Sequence, residues 1–162
     1  MSQLNVNPYA VTHDELTGLP NSFLFYDRLN TSIATAERST NRFAVLYIEL
    51  KNIQKVAKKY GSEISDSLLI QITGRLNDML READSIGRLG EYEFAVIISH
   101  VIDKKAIDSL VYRVYKIIGL PCQINSYSFN AKASIGVSVY PDNGTSATAL
   151  INYATAHTLS YD

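Results

Sequence analysis

Eight consecutive residues, Phe43-Ala44-Val45-Leu46-Tyr47-Ile48-Glu49-Leu50, are broken in apolar character only once, at Glu49 near the end. A run this short and this continuous suits a strand covered on both faces, because a strand with one wet face alternates apolar and polar residues. A chain with such a strand must supply helices to both sides of a sheet, and the flanking sequence does. Leu24, Phe25, Leu29, Ile33 and Ala36 recur at helical spacing behind the turn Gly18-Leu19-Pro20-Asn21, with Asn21 placed as a cap. That helix runs to about Arg38 and ends in Ser39-Thr40-Asn41. A short helix is predicted over Ile53 to Tyr60, stopped by Gly61. A longer one begins near Ser62, its apolar stripe formed by Ile64, Leu68, Leu69, Ile72, Leu76, Met79 and Leu80.

Two short strands follow, Ser85 to Arg88 and Phe94 to Ser99, around a charged tip at Leu89-Gly90-Glu91-Tyr92-Glu93. Ile107, Leu110, Val111, Val114, Ile117 and Ile118 mark a further helix, ended by Gly119 and Pro121. Gln123 to Tyr140 reads as two strands, the second being Ala133 to Tyr140. After the turn Pro141-Asp142-Asn143-Gly144, a last helix is predicted from Ala147 to Asp162. The order implies an α+β fold, a mixed central sheet of about five strands covered by helices.

The 162 residues fit one domain, large enough to hold a core without a metal or disulfide staple. Residues 1–12 are polar and unpatterned, a tail or incoming linker. The domain is expected over 13–162, cut just short of its natural C-terminal end. The 15 basic and 16 acidic residues leave a net charge of -1, so no broad footprint for nucleic acid or anionic membrane exists. Cys122 is the single cysteine and has no internal partner, which fits a reducing compartment. No apolar run reaches membrane-spanning length, and the first twenty residues lack the pattern of a signal peptide. The expectation is a cytoplasmic chain, or a cytoplasmic piece of a larger protein.

Four segments, in order, resemble one family. Asp14-Glu15-Leu16-Thr17-Gly18-Leu19-Pro20-Asn21 looks like the opening motif of GGDEF domains, the diguanylate cyclases of bacterial signalling. Tyr60-Gly61, Asp66 and Leu68-Leu69 resemble that family's next block. Arg88-Leu89-Gly90-Glu91-Tyr92-Glu93-Phe94 takes the place of the signature hairpin, and Ser134 to Pro141 resembles the late strand. The resemblance covers about residues 11–162. It implies a fold similar to the palm of polymerases. It also implies a reaction in which a dimer condenses two GTP into cyclic di-GMP. Two carboxylates would hold divalent metal against the triphosphate. An Asn and an Asp would read guanine, and lysines would grip the terminal phosphates.

The set is eroded here. The signature reads Gly90, Glu91, Tyr92, Glu93, Phe94. Glu91 brings bulk and negative charge where a glycine would admit the nucleotide, and Tyr92 puts a neutral phenol where a metal carboxylate belongs. Glu93 is kept. Glu49 aligns with the first-strand metal aspartate, the one metal position kept outside the hairpin. Gln54 and Ala57 stand where the resemblance places the phosphate lysine and the guanine-reading asparagine. Asp66 keeps the other guanine contact. An ungapped alignment puts Asp162 at a second phosphate lysine. Losing one metal carboxylate removes several kcal/mol, on the order of thousandfold in rate, because electrostatics dominates phosphoryl transfer.

Arg81-Glu82-Ala83-Asp84 matches the spacing of the family's inhibitory product site. An Arg fork can take a guanine edge or a phosphate bidentately, and a carboxylate can accept guanine N–H groups. The structural alternative is equally plain: Arg81 as a solvated cation at a helix C-terminus and Asp84 as the residue closing the turn. Likewise Glu49 can be a paired strand-end acid, Asp66 a helix-capping group, and Glu91 and Glu93 solubilising charges, with Tyr92 between them as a protein contact. Lys55, Lys58 and Lys59 form a small basic face. His13, His100 and His157 lack ligand spacing, and Cys122 reads as a structural thiol.

The expected function is a catalytically silent regulatory domain in cyclic di-GMP signalling. It would bind cyclic di-GMP through Arg81 and Asp84, or GTP weakly in the remnant pocket, and tune a linked EAL phosphodiesterase domain. Two alternatives stand beside it: a nucleotide-independent dimerisation or interaction module, and a weakly active cyclase. A homodimer fits the family; nucleic acid and membrane insertion do not. Mg²⁺ or Mn²⁺ is required only if cyclase activity remains.

Overall fold

The computed structural model describes residues 7–100 and 103–160. A 3₁₀ turn, Pro8–Val11, leads into α1 (Ser22–Ser39), β1 (Phe43–Leu50), α2 (Ile53–Tyr60) and α3 (Ser62–Met79). The hairpin strands β2 (Ser85–Arg88) and β3 (Glu93–Ile98) come next, then α4 (Lys104–Ile118). A small hairpin, β4 (Cys122–Ile124) and β5 (Tyr127–Phe129), precedes β6 (Ala133–Tyr140), α5 (Ala147–Ala156) and β7 (Leu159–Ser160).

Five strands form the main sheet in the order β2-β3-β1-β6-β7, and β4-β5 stands apart. The apolar run of β1 lies at the centre, as its composition demands. It pairs with β3 from Ala44↔Ile98 to Glu49↔Glu93, and with β6 from Phe43↔Tyr140 to Leu50↔Ala133. Every pairing in the sheet is antiparallel, so the expected mixed sheet is corrected. The helical crossovers between β1 and β2 and between β3 and β6 each skip a neighbour, which leaves no parallel strands adjacent.

Strand alternation sends Phe43 and Val45 to one face, where they meet Phe25, Leu29 and Ala36 of α1 and Leu150 and Ile151 of α5. Leu46 and Ile48 point to the other face, against Leu68, Leu69 and Ile72 of α3 and Val111, Val114 and Ile118 of α4. The two faces account for the unbroken apolar run. Asn21 caps α1 by accepting from the Leu24 N–H at 3.1 Å, as predicted. On β6, Gly136 allows α5 to lie against the sheet: a Cβ there would sit 1.8 Å from the Ala154 carbonyl oxygen.

Two expectations change. The Gln123 to Tyr140 stretch holds a separate hairpin strand, β5, before β6. The last helix does not reach Asp162 but ends at Ala156, and β7 then pairs with β6 through Ser134↔Ser160 and Ile135↔Leu159. The free edge of β6 is the reason, since its backbone groups need partners. The Tyr115 hydroxyl of α4 reinforces the pairing, donating to the Leu159 carbonyl and accepting from the Ile135 N–H.

Candidate functional site

The candidate residues fall into two groups, one near each end of the β2–β3 hairpin. At its closed end the tip turns tightly, with the Leu89 and Gly90 N–H groups donating to the Glu93 carbonyl at 2.8 and 3.2 Å. Glu93 folds its carboxylate back over Gly90, where a Cβ would meet Oε2 at 3.0 Å. A side chain at position 90 would therefore have to displace the Glu93 carboxylate. Arg88 straps the tip from beneath. Its guanidinium donates to the Gly90 carbonyl at 3.2 Å and the Glu91 carbonyl at 2.8 Å. The same group reaches Asp14 at 3.0 and 3.1 Å, with both side chains largely buried. Asp14 also accepts from the Thr17 N–H and hydroxyl. Burial works to raise the Asp14 pKa, but the Thr17 hydrogen bonds and the Arg88 charge outweigh it and hold the carboxyl below its usual value. The opening motif and the signature motif are therefore one unit in space. Both were legible in sequence, but not the contact between them.

Glu49 and Glu93 face one another as a register pair across β1 and β3. Neither is free of company. The Lys51 ammonium lies 3.3 Å from Glu49 Oε2. Tyr47, two residues before Glu49 and on the same face, is buried. Burial first, then the Glu93 carboxylate within hydrogen-bonding reach and the Glu49 charge, push its phenol far above the ordinary tyrosine value. Tyr92 is half-buried against the α3 side of the core. Burial first, then the neighbouring Glu91 carboxylate, raise its pKa; Arg88 opposes them, and the charge of Asp66 adds a last small push upward. Asp66 of α3 thus acts on Tyr92 through its charge alone.

Mg²⁺ demands several oxygen ligands in near-octahedral geometry. Here one of the two carboxylates is paired to an ammonium, the other lies beside the buried Tyr47 phenol, and the position of a further carboxylate is filled by Tyr92. Among the described residues no group of three or more His, Cys, Asp and Glu side chains converges to hold a metal. The residues present do not fit the divalent ion that the resemblance implies. Gln54 is exposed and Ala57 half-buried on α2, with no charge or amide to offer a nucleotide at the latter. Lys55, Lys58 and Lys59 are exposed, and the Lys59 ammonium sits over the Tyr60 ring. Asp162 lies outside the described residues.

The open end of the hairpin holds Arg81 and Asp84. The Asp84 side chain is 4% exposed and accepts from the Arg81 N–H at 3.0 Å and the Ser99 N–H at 3.1 Å. The Arg81 guanidinium reaches Asp84 at 3.3 Å and the Ser99 carbonyl at 2.7 Å, while remaining 62% exposed. Asp84 closes the turn, the structural role anticipated for it. Both residues also line a cavity of about 410 Å³, floored by Leu46 and Ile98 and walled by Leu110 and Arg113 of α4. Sequence reading missed Arg113, because one Arg inside an amphipathic helix carries no signal of what it faces.

His13 stacks on Tyr9 and His157 on Tyr153, so both are used as flat aromatic surfaces. Cys122 is buried, and burial raises its thiol pKa in spite of Arg75, whose guanidinium is 3.3 Å from the sulfur. Among the described residues, no helix is long and apolar enough to cross a membrane.

Residues 11–160 match the family model described as diguanylate cyclase, GGDEF domain. The chain is 39% identical over 132 residues to the bifunctional diguanylate cyclase/cyclic di-GMP phosphodiesterase MucR of Pseudomonas aeruginosa, covering 82% of this chain and 19% of that protein. It is 29% identical over 141 residues to the cyclic di-GMP phosphodiesterase PdeR of Escherichia coli, covering 87% of this chain and 21% of that one. The chain therefore spans about a fifth of the length of either relative. Among solved structures, a sensory box/GGDEF family protein from Caulobacter crescentus superposes with a TM-score of 0.85 at 31% identity, covering 90% of this chain and 94% of that one. With the signature hairpin, the antiparallel sheet and a family match from residue 11 to 160, the chain belongs to the GGDEF domain family.

Proposed function

We propose that this GGDEF domain is a regulatory element of cyclic di-GMP signalling that does not itself join two GTP molecules. One observation carries the reading: the position of a metal carboxylate is held by Tyr92, a neutral phenol half-buried against the core and a poor ligand for a hard divalent ion. Glu91 adds negative charge where a triphosphate would approach, and Gln54 and Ala57 leave its phosphate and base without their expected partners. In this silent state the domain needs no metal. Mg²⁺ or Mn²⁺ enters only if cyclase turnover persists.

The ligand we assign is cyclic di-GMP, at the cavity shared by Arg81, Asp84 and Arg113. Arg81 is exposed and oriented by Asp84, its Nε–Nη2 edge donating to that carboxylate and to the Ser99 carbonyl, so a guanine edge or a phosphate would meet the guanidinium at Nη1 or exchange with these partners. GTP, held weakly near Asp66, is the lesser ligand. The similarity to MucR and PdeR supports a place beside a phosphodiesterase of the EAL type, whose activity the domain would tune from the cytoplasm. A homodimer is part of the same proposal.

Calorimetric titration of cyclic di-GMP into the purified chain tests the reading, with Arg81→Ala as control. Micromolar binding lost in the variant supports it. Absence of heat removes the ligand and leaves a protein-contact module. Cyclic di-GMP made from GTP and Mg²⁺ or Mn²⁺, and abolished by Glu93→Ala, would overturn the silent assignment.

A further inference from the structure

We infer that Lys51 is the resident cation of the signature site, standing in for the divalent metal that its carboxylates would otherwise attract. The inference rests on the reading of that site as metal-free and adds what holds it in that state. Glu49 and Glu93 are register partners across β1 and β3, so two acidic side chains rise from the same face at the end of the sheet. Such a pair either binds a cation, takes up a proton, or is relieved by neighbouring groups. The chain supplies the third solution. Glu49 has the Lys51 ammonium at 3.3 Å, and Glu93 has the Tyr47 phenol in reach.

The position of Lys51 is built, not incidental. Its backbone N–H donates to the Lys132 carbonyl at 2.9 Å. The next residue, Asn52, clamps the same loop, donating to the Asn130 carbonyl at 3.0 Å and accepting from the Lys132 N–H at 3.1 Å. These bonds fix the chain directly after β1, so a lysine two residues beyond Glu49 has its stem set on the side of that carboxylate. The pair is about half exposed and adds little to stability. Its effect is on local potential: a positive charge beside Glu49 opposes entry of a second cation, and does so independently of the loss of a ligand at Tyr92.

The test separates these two obstacles by metal binding rather than turnover. Mn²⁺ is titrated to about 1 mM, the weak end of carboxylate sites, and the free ion is read by electron paramagnetic resonance. The samples are the intact chain, Tyr92→Asp, and Lys51→Ala/Tyr92→Asp, each shown folded by its thermal transition. The wild-type chain is expected to leave Mn²⁺ free. Tyr92→Asp restores the carboxylate but keeps the ammonium, and the double variant should bind Mn²⁺ at least tenfold more tightly than it does. Equal behaviour of the two variants, whether both bind or neither does, overturns the role of Lys51. So does Mn²⁺ binding by the wild-type chain that Glu49→Gln abolishes. Cyclase turnover by the wild-type chain is a separate readout and bears on the silent reading alone.

Discussion

The buried carboxylate of Asp84 accepts the Ser99 N–H at 3.1 Å, joining the turn before β2 to the residue after β3. The same carboxylate accepts the Arg81 N–H, so it serves two backbone donors as well as the Arg81 side chain. Arg81 and Asp84, neighbours in one motif, therefore have different standing. Asp84→Ala strands two backbone donors and should cost about 2–3 kcal/mol, seen as a lower urea midpoint. Arg81→Ala removes an exposed side chain and should cost no more than about 1 kcal/mol. Loss of ligand binding in Arg81→Ala can thus be read as chemistry, whereas in Asp84→Ala it reports the fold.

The strap between Arg88 and Asp14 predicts a pH dependence. The Asp14 carboxyl is held below the ordinary aspartate value of 3.8 in the folded chain. A depressed carboxyl stabilises the fold at pH above the unfolded value and stops doing so as pH falls through the lower folded value. Asp14→Asn should lose about 1–3 kcal/mol at neutral pH. The gap between variant and wild type should close below pH 3.8, as followed by circular dichroism across an acid titration. A gap that stays constant through that range would mean that the ion pair does not carry the strap.

Gly136→Ala should be among the most damaging single-methyl changes in the chain. The added Cβ would lie 1.8 Å from the Ala154 carbonyl oxygen, and backbone cannot move aside as a side chain can. The expected loss is about 3 kcal/mol or more, visible as a large fall in melting temperature or as insoluble protein.

Restoring the two glaring positions of the tip should not restore a cyclase. Glu91→Gly/Tyr92→Asp returns a glycine and a carboxylate, but Lys51, Gln54 and Ala57 remain. The expected outcome is no cyclic di-GMP by chromatography after prolonged incubation with GTP and Mn²⁺. Robust turnover would show that the loop between β1 and α2 had been given too much weight.

Most of the architecture could be read in the residues, because burial on both faces of β1 and the stripes of α1, α3 and α4 are periodic signals. The end of α5 could not. Ala147 onwards is helical in composition, and nothing local says that Leu159 and Ser160 will leave the helix to complete the edge of β6. Strand neighbours were obscure for the same reason: antiparallel pairing throughout depends on which crossover skips which strand. At the site, alignment with a family located Glu49, Asp66, Tyr92 and Glu93. It was silent on Lys51 beside Glu49, on Tyr47 beneath Glu93, and on Arg113 across the cavity from Arg81. Each of those is a contact between elements, or a rotamer, and neither leaves a mark on spacing.

The strap at Arg88 has one more consequence. Of the groups it grips, two are main-chain oxygens, at Gly90 and Glu91, which any amino acid there would present. The tip is held by a grip that does not read side chains at all. Positions 91 and 92 can therefore drift through many residue types while the loop keeps its outline, so that inheritance of the shape and inheritance of the reaction are separable.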